Sequence, residues 1–182
     1  MEESIMYVPE EIEKILFTEE QLKEETARLG AELTREYSGR NPLFVCVLKG
    51  ASVFFADLIR AVECPLEIDF FRAKSYLGTT TTGVVDVNES ELPDIKGRDV
   101  VIVEDIVDTA RTLSKVKEMF LEREPRSLKI VCLLDKPSRR EVKGFTVDSR
   151  CFEIDDLFVV GYGLDCDQRF RNLPYIGVYK AL

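Results

Sequence analysis

The chain contains no histidine. That absence removes Ser-His-Asp and Cys-His catalysis, the zinc-protease helix and every imidazole acid or base. Any acid–base chemistry falls to carboxylates, Lys, Tyr or Cys. Long apolar runs are also missing. Those present, such as Leu43 to Leu48 and Val100 to Val103, fall far short of the roughly 20 residues that cross a bilayer. The N-terminus reads Met1-Glu2-Glu3-Ser4, acidic where a secretory signal is basic and then apolar. A cytoplasmic location without a membrane partner is therefore expected. Basic charge is in deficit, with 25 Lys and Arg against 34 Asp and Glu and a net charge of −9. Such a balance disfavours a general nucleic-acid binder. The five cysteines are scattered and form no CxxC pair, so neither a zinc site nor a thioredoxin-like motif is indicated. Cys46 and Cys132 lie inside apolar runs and read as buried thiols of a reducing compartment.

What is present is an ordinary globular balance: 182 residues, 45% hydrophobic and 32% charged. At ~150 residues per domain this is one domain spanning residues 1–182. Folding should bury roughly 70% of the extended chain's surface. Thr18-Glu19-Glu20-Gln21 has capping-box spacing and predicts a helix that carries Leu22, Leu29 and Leu33 and stops near Gly39. Leu43 to Leu48 reads as a buried strand, and Ala51 to Ala61 as a helix. Leu66, Ile68 and Phe70 alternate with Glu67 and Asp69, predicting a half-buried strand with the apolar residues inward. Further strands are predicted at Val84 to Val87, Val100 to Val103, Ser127 to Leu134, Phe158 to Val160 and Ile176 to Tyr179, with a helix at Leu113 to Leu121. Strands apolar on both faces, alternating with helices, argue for an α/β fold with a mainly parallel sheet flanked by helices. Ligands then bind at the carboxyl ends of the strands, so the loops after Leu48, Val103 and Leu134 are the candidate sites.

The segment after Val103 reads Glu104-Asp105-Ile106-Val107-Asp108-Thr109-Ala110-Arg111-Thr112. Backbone N–H groups at the start of the following helix, with the hydroxyls of Thr109 and Thr112, form a cradle for a phosphate. The adjacent acids can take two sugar hydroxyls or a magnesium ion, and Asp108 can serve as a general base. On local pattern alone, the same residues also fit an acidic loop that caps a helix.

Val100 to Leu113, VVIVEDIVDTARTL, resembles the phosphoribosyl-diphosphate signature of type I phosphoribosyltransferases, and within them the 6-oxopurine branch. Four more segments match in order: Leu48-Lys49-Gly50-Ala51, Ser75-Tyr76, Leu134-Asp135-Lys136-Pro137, and FVVGYGLD with FRNLPYIGVY near the end. The resemblance covers nearly the whole chain. It implies transfer of phosphoribosyl from phosphoribosyl diphosphate to hypoxanthine or guanine, with Mg2+ as cofactor. It also implies a small hood built from terminal segments and a homodimer or homotetramer.

Carried over residue by residue, the resemblance makes Asp108 the base near purine N7, and Glu104 and Asp105 the holders of the ribose hydroxyls and of magnesium. Thr109, Ala110, Arg111 and Thr112 enclose the 5′-phosphate, with Arg111 at the rim. Lys49, Gly50 and Arg171 meet the diphosphate. Ser75 and Tyr76 open a mobile loop that runs to Gly83 and closes over the reaction. Lys136 donates to the exocyclic oxygen of the purine, Phe158 stacks on it, and the backbone of Val159 reads its edge. Asp165 lies by the purine and meets a second, diphosphate-bound magnesium. Without the resemblance, Lys49-Gly50 fits a plain turn, Phe158 a core residue, Asp165 a turn aspartate and Arg171 a solvated surface group.

The family carries glycine where this chain has Ala110. A natural alanine predicts a negative φ, since a positive one costs a non-glycine residue roughly 1–2 kcal/mol. Two other readings compete with the transferase. RNA-binding regulators of the same fold need a basic face, which the charge balance opposes. Magnesium phosphatases of the haloacid dehalogenase type need acids two apart, whereas Asp105 and Asp108 are three apart.

Overall fold

The structure is a computed structural model that describes residues 7–72, 74–75, 85–86 and 94–180. In chain order the elements are β1 (Ile12–Phe17), α1 (Glu19–Tyr37), β2 (Leu43–Leu48), α2 (Ser52–Ala61), β3 (Glu67–Arg72), β4 (Lys74–Ser75), β5 (Val85–Asp86), β6 (Asp99–Val107), α3 (Arg111–Leu121), β7 (Ser127–Asp135), β8 (Ser149–Glu153), β9 (Val159–Val160) and β10 (Ile176–Tyr179). A five-stranded sheet of order β3-β2-β6-β7-β8 forms the centre, and every pairing in it is parallel. A second, antiparallel sheet of order β1-β10-β9 joins the two ends of the chain. It is the hood expected from terminal segments.

The apolar runs become strands because both faces of the central sheet are covered. Along β2, Phe44 and Cys46 pack with Leu29 and Leu33 of α1 and Phe54 and Leu58 of α2. The alternate residues Leu43, Val45 and Val47 pack with Leu113, Val116 and Phe120 of α3. Strands β6 and β7 divide the same way, with Val101, Val103, Val131 and Leu133 on the first side and Val100, Ile102, Ile130 and Cys132 on the other. Cys46 and Cys132 are buried thiols as expected, and burial pushes Cys46 up to about 12. Helix α1 starts at the predicted capping box: the Gln21 N–H donates to Thr18 Oγ1 at 3.3 Å, and the Thr18 N–H to Gln21 Oε1 at 2.9 Å.

Four expectations need correction. The strand after Gly97 is longer than Val100 to Val103; β6 runs from Asp99 to Val107, so Glu104 and Asp105 lie within a strand rather than in the loop after it. Strand β3 is turned over: Phe71 is buried, while Ile68 and Phe70 are 46% and 47% exposed. It stands at the end of the sheet, paired only with β2 in this sheet's order, so Ile68 and Phe70 lie on an incompletely covered face; Phe70 still meets Phe55 of α2 at 5.7 Å, and Leu66, just before the strand, packs against the core. Helix α3 begins at Arg111, two residues before the predicted start. Strands β1, β4 and β8 were not predicted, and Ser75 lies in β4 rather than in the loop expected from Ser75 to Gly83. Tyr76, and the loop from it to Gly83, lie outside the described residues; Ser75 is described in β4, paired with Val85 of β5.

Candidate active site

The carboxyl ends of β2, β6 and β7 deliver the candidate residues to one edge of the sheet, because these strands are parallel neighbours in register. Cys46 pairs with Val103, and Glu104 with Cys132 and Val107 with Asp135. Lys49-Gly50 therefore leaves β2 beside Glu104-Asp105, and Lys136 leaves β7 beside Asp108. The Leu48–Lys49 peptide is cis.

Gly50 and Asp105 are in close approach: a methyl on Gly50 would lie 1.5 Å from Asp105 Oδ2. Gly163, at φ +104°, backs onto the same loop, since its own methyl would meet the Gly50 carbonyl oxygen at 2.1 Å. Glycine at both positions lets the strand-end loop fit between the acid and the 161–173 segment. Arg171 ties that segment together. Its Nη1 donates to the Gly163 carbonyl at 2.7 Å, and its Nη2 lies 2.6 Å from Asp165 Oδ1. Lys49 Nζ donates to Gln168 Oε1 at 3.3 Å, and the Gln168 N–H donates to Asp165 Oδ2 at 2.8 Å. Lys49, Arg171 and Asp165 thus gather around one loop, with Gln168 between them.

Glu104 and Asp105 form a half-buried pair of carboxylates. The Asp105 N–H donates to Glu104 Oε1 at 3.1 Å, and the Ile106 N–H to Asp105 Oδ1 at 2.7 Å. Burial pushes Glu104 well above the usual carboxylate range, and the charge of Asp105 adds to it. Burial also raises Asp105, against the hydrogen bonds from Glu104 and the Ile106 N–H and the nearby Arg171 charge. Two carboxylates held together out of water are stabilised in their charged form by a nearby cation. Their hard oxygen donors suit magnesium, which commonly takes one or two carboxylates and completes its shell with water and phosphate oxygens. Among the described residues no three acidic or thiol side chains group into a cation site, so Asp165 stands apart from this pair.

Strand β6 ends at Val107 and α3 begins at Arg111. The turn is made by Ala110, at φ 64° and ψ 6°. This overturns the expectation of a negative φ. Reversing from strand to helix within three residues requires the left-handed conformation here, and Ala110 accepts it with its methyl buried beside Val107 and Leu113. The methyl is directed into the core, so it does not crowd an anion. No side chain caps α3 from Ala110 and no acid occupies its first turn. The Arg111 N–H donates to Thr109 Oγ1 at 3.4 Å, and the other N–H groups of this first turn, with Thr112, keep the character of an anion cradle. Arg111 is 71% exposed and pairs with Glu141, which leaves it at the rim.

Lys136 is 6% exposed; its N–H donates to the Val107 carbonyl at 2.9 Å, and its Nζ lies 3.7 Å from Asp156 Oδ1. Val159 is buried in β9, whereas Phe158 is 57% exposed. The Phe158 ring meets Tyr179 edge-on at 5.7 Å, leaving ring surface open to a planar ligand. Asp108 is paired with Arg139, whose Nε donates to Asp108 Oδ1 at 3.2 Å. Arg139, Asp156 and Gln168 escaped the reading of the sequence. The dibasic Arg139-Arg140 after Lys136-Pro137, and the doubled Asp155-Asp156 before Phe158, were the available signals.

An acid pair near the end of a strand, a helix that starts after three further residues, and a cationic loop beside the acids are arranged as expected for a phosphoribosyltransferase. A phosphoribosyl transferase domain family matches residues 14–167. Hypoxanthine-guanine phosphoribosyltransferase of Bacillus subtilis is 48% identical over 171 residues, covering 93% of this chain and 94% of that protein. The enzyme of that name from Streptococcus pneumoniae is 46% identical over the same shares. The crystal structure of a hypoxanthine phosphoribosyltransferase from Staphylococcus aureus superposes with a TM-score of 0.88 at 42% identity, covering 93% of this chain and 92% of that one. The chain belongs to the hypoxanthine-guanine phosphoribosyltransferases, the purine-salvage branch of that fold.

Proposed function

We propose that the site joins hypoxanthine or guanine to phosphoribosyl diphosphate, giving IMP or GMP and releasing diphosphate. The observation that supports this reading is the Lys136 N–H on the Val107 carbonyl, which brings the end of β7 beside the end of β6 where Asp108 follows. A base at Asp108 and a cationic donor at Lys136 would match the neighbouring N7 and 6-oxo groups of a purine. Asp108 accepts the N7 proton as N9 bonds the anomeric carbon. Lys136 donates to the exocyclic oxygen, Phe158 stacks on the ring and the Val159 backbone reads its edge. Thr109, Ala110, Arg111 and Thr112 hold the 5′-phosphate. Glu104 and Asp105 hold the ribose hydroxyls, and their charge favours the cation-like sugar. Lys49, Gly50 and Arg171 receive the diphosphate. Magnesium, when bound, neutralises the leaving diphosphate; Glu104 and Asp105 would hold one ion and Asp165 a second. Ser75 and Tyr76 belong to the segment assigned to exclude water.

The unpaired cysteines fit a reducing cytoplasm. Exposed Ile68 and Phe70 on the incompletely covered face of β3 support assembly of two or four copies. The decisive assay supplies phosphoribosyl diphosphate and magnesium with each nucleobase in turn and identifies the product. Nucleotide formation from hypoxanthine and guanine, abolished by chelation and lowered roughly 10²–10⁴-fold by Asp108→Asn, is the expected result. Release of phosphate from simple phosphoesters, with no nucleotide formed, would overturn it.

A further inference from the structure

We propose that Arg139 is the positioning residue for Asp108 and that Asp156 ties it to Lys136, so that one chain of ion pairs sets both groups facing the N7 and 6-oxo edge of the purine. The inference rests on the roles just given to Asp108 and Lys136 and extends them to two residues outside that set.

The chain is continuous. Arg139 Nε donates to Asp108 Oδ1 at 3.2 Å. Arg139 Nη1 lies 3.5 Å from Asp156 Oδ2, and Asp156 Oδ1 lies 3.7 Å from Lys136 Nζ. A planar guanidinium fixes the orientation of a carboxylate in a way that a point charge does not. With Oδ1 held by Arg139, Oδ2 is the oxygen left to meet the purine. Asp156 in turn draws the buried Lys136 ammonium toward the same edge.

Arg139 is delivered there by its neighbours. Residues 137–139 form a single 3-10 turn. The turn is pinned behind by Arg140, which pairs with the buried Asp135 carboxylate and donates from Nη1 to the Val107 carbonyl at 2.9 Å. The arrangement around Asp135 and Arg140 is structural, while Arg139, on the other side of the turn, faces the site. Arg139 and Asp156 are 44% and 59% exposed at their side chains. Ion pairs that exposed contribute little to folding, so their loss should register in turnover and substrate affinity rather than in stability.

The test compares steady-state kinetics and melting temperature for wild type, Arg139→Gln, Arg139→Lys, Asp156→Asn, Asp108→Asn and the double variant Asp108→Asn/Arg139→Gln. Arg139→Gln should lower kcat about tenfold with KM for phosphoribosyl diphosphate and melting temperature unchanged. Arg139→Lys should recover part of the loss. Asp156→Asn should raise KM for hypoxanthine severalfold. In the Asp108→Asn background, Arg139→Gln should change kcat by no more than about twofold, because a residue that acts through Asp108 has nothing left to position. Wild-type kcat in Arg139→Gln, or a tenfold loss that persists in the Asp108→Asn background, would overturn the proposal. Near wild-type turnover of Asp108→Asn alone is a different failure: it removes Asp108 as the base, and the positioning role with it.

Discussion

The carboxylate of Asp105 occupies the space that a side chain on Gly50 would need; a methyl there would lie 1.5 Å from Oδ2. One loop therefore serves two halves of the site. Its backbone closes on Asp105, the acid proposed to hold the sugar, while Lys49 beside it reaches Gln168 in the segment proposed to receive the diphosphate. The fit is closed from behind by Gly163 and by the Arg171 hydrogen bond to the Gly163 carbonyl.

Gly50→Ala should accordingly cost more in activity than in folding. Overpacking of this kind costs about 1–3 kcal/mol of stability, and here Asp105 must swing away to relieve it. A displaced ribose-binding acid should lower kcat/KM for phosphoribosyl diphosphate by about 10²-fold, since misplacement of about 1 Å has effects of that size. Kinetics at saturating purine check this. A variant with unchanged kcat/KM would mean that the Asp105 position does not matter to that substrate.

Much of this was legible in the sequence, for physical reasons that also explain the misses. Runs apolar at every position, such as Leu43 to Leu48, must be covered on both faces, which requires a parallel sheet between helix layers. The capping box at Thr18 is a local device and was read correctly. The strand β6 extension through Glu104 and Asp105 was not, because acids at a strand end look like the start of a loop until their parallel neighbours are known. The faces of β3 were misread because alternation gives two faces without saying which is buried. The candidate site residues came from the phosphoribosyl-diphosphate signature and the four other matching segments, but the partners that hold them did not. Arg139, Asp156 and Gln168 gain meaning only from contacts made between distant segments.

Lys136 is expected to act on the purine half of the site alone. Its ammonium is nearly buried and directed with Asp156 toward the edge that also holds Asp108. Loss of a charged hydrogen bond costs roughly 1.5–3 kcal/mol, so Lys136→Ala should raise KM for hypoxanthine by about ten- to a hundredfold. KM for phosphoribosyl diphosphate should change far less. An effect confined to phosphoribosyl diphosphate would move Lys136 to the other half of the site.

Asp99 should make the protein acid-sensitive. Its side chain is fully buried at the start of β6, paired with Arg126, and Ser127 Oγ donates to its Oδ1 at 2.6 Å. The hydrogen bond from Arg126, with that from Ser127, holds its carboxyl below the ordinary value against the opposing effect of burial. A carboxyl lowered in the folded state contributes stability that is complete above its unfolded value of about 3.9 and is lost as pH falls through the folded value. Asp99→Asn should therefore cost about 1.5 kcal/mol at pH 7, with the gap to wild type closing below about pH 4. Urea unfolding at several pH values measures this. A constant gap across that range would show that the charge of Asp99 is not what matters.

Ala110 sets two opposing costs against each other. At φ 64° it adopts a conformation that costs a non-glycine residue roughly 1–2 kcal/mol, and Ala110→Gly would relieve that strain. The same substitution removes a methyl that is 5% exposed and packed in the α3 side of the core, losing about 0.8 kcal/mol of burial. It also loosens the unfolded chain, by about 0.4–1 kcal/mol. The terms nearly cancel, so the melting temperature should move by no more than a few degrees. Because the methyl faces the core and not the anion cradle, KM for phosphoribosyl diphosphate should stay within about twofold. The two measurements separate the two roles that a small residue can have here. A large gain in affinity would mean that the methyl crowds the 5′-phosphate after all. A large fall in melting temperature would mean that its packing outweighs the strain of the turn.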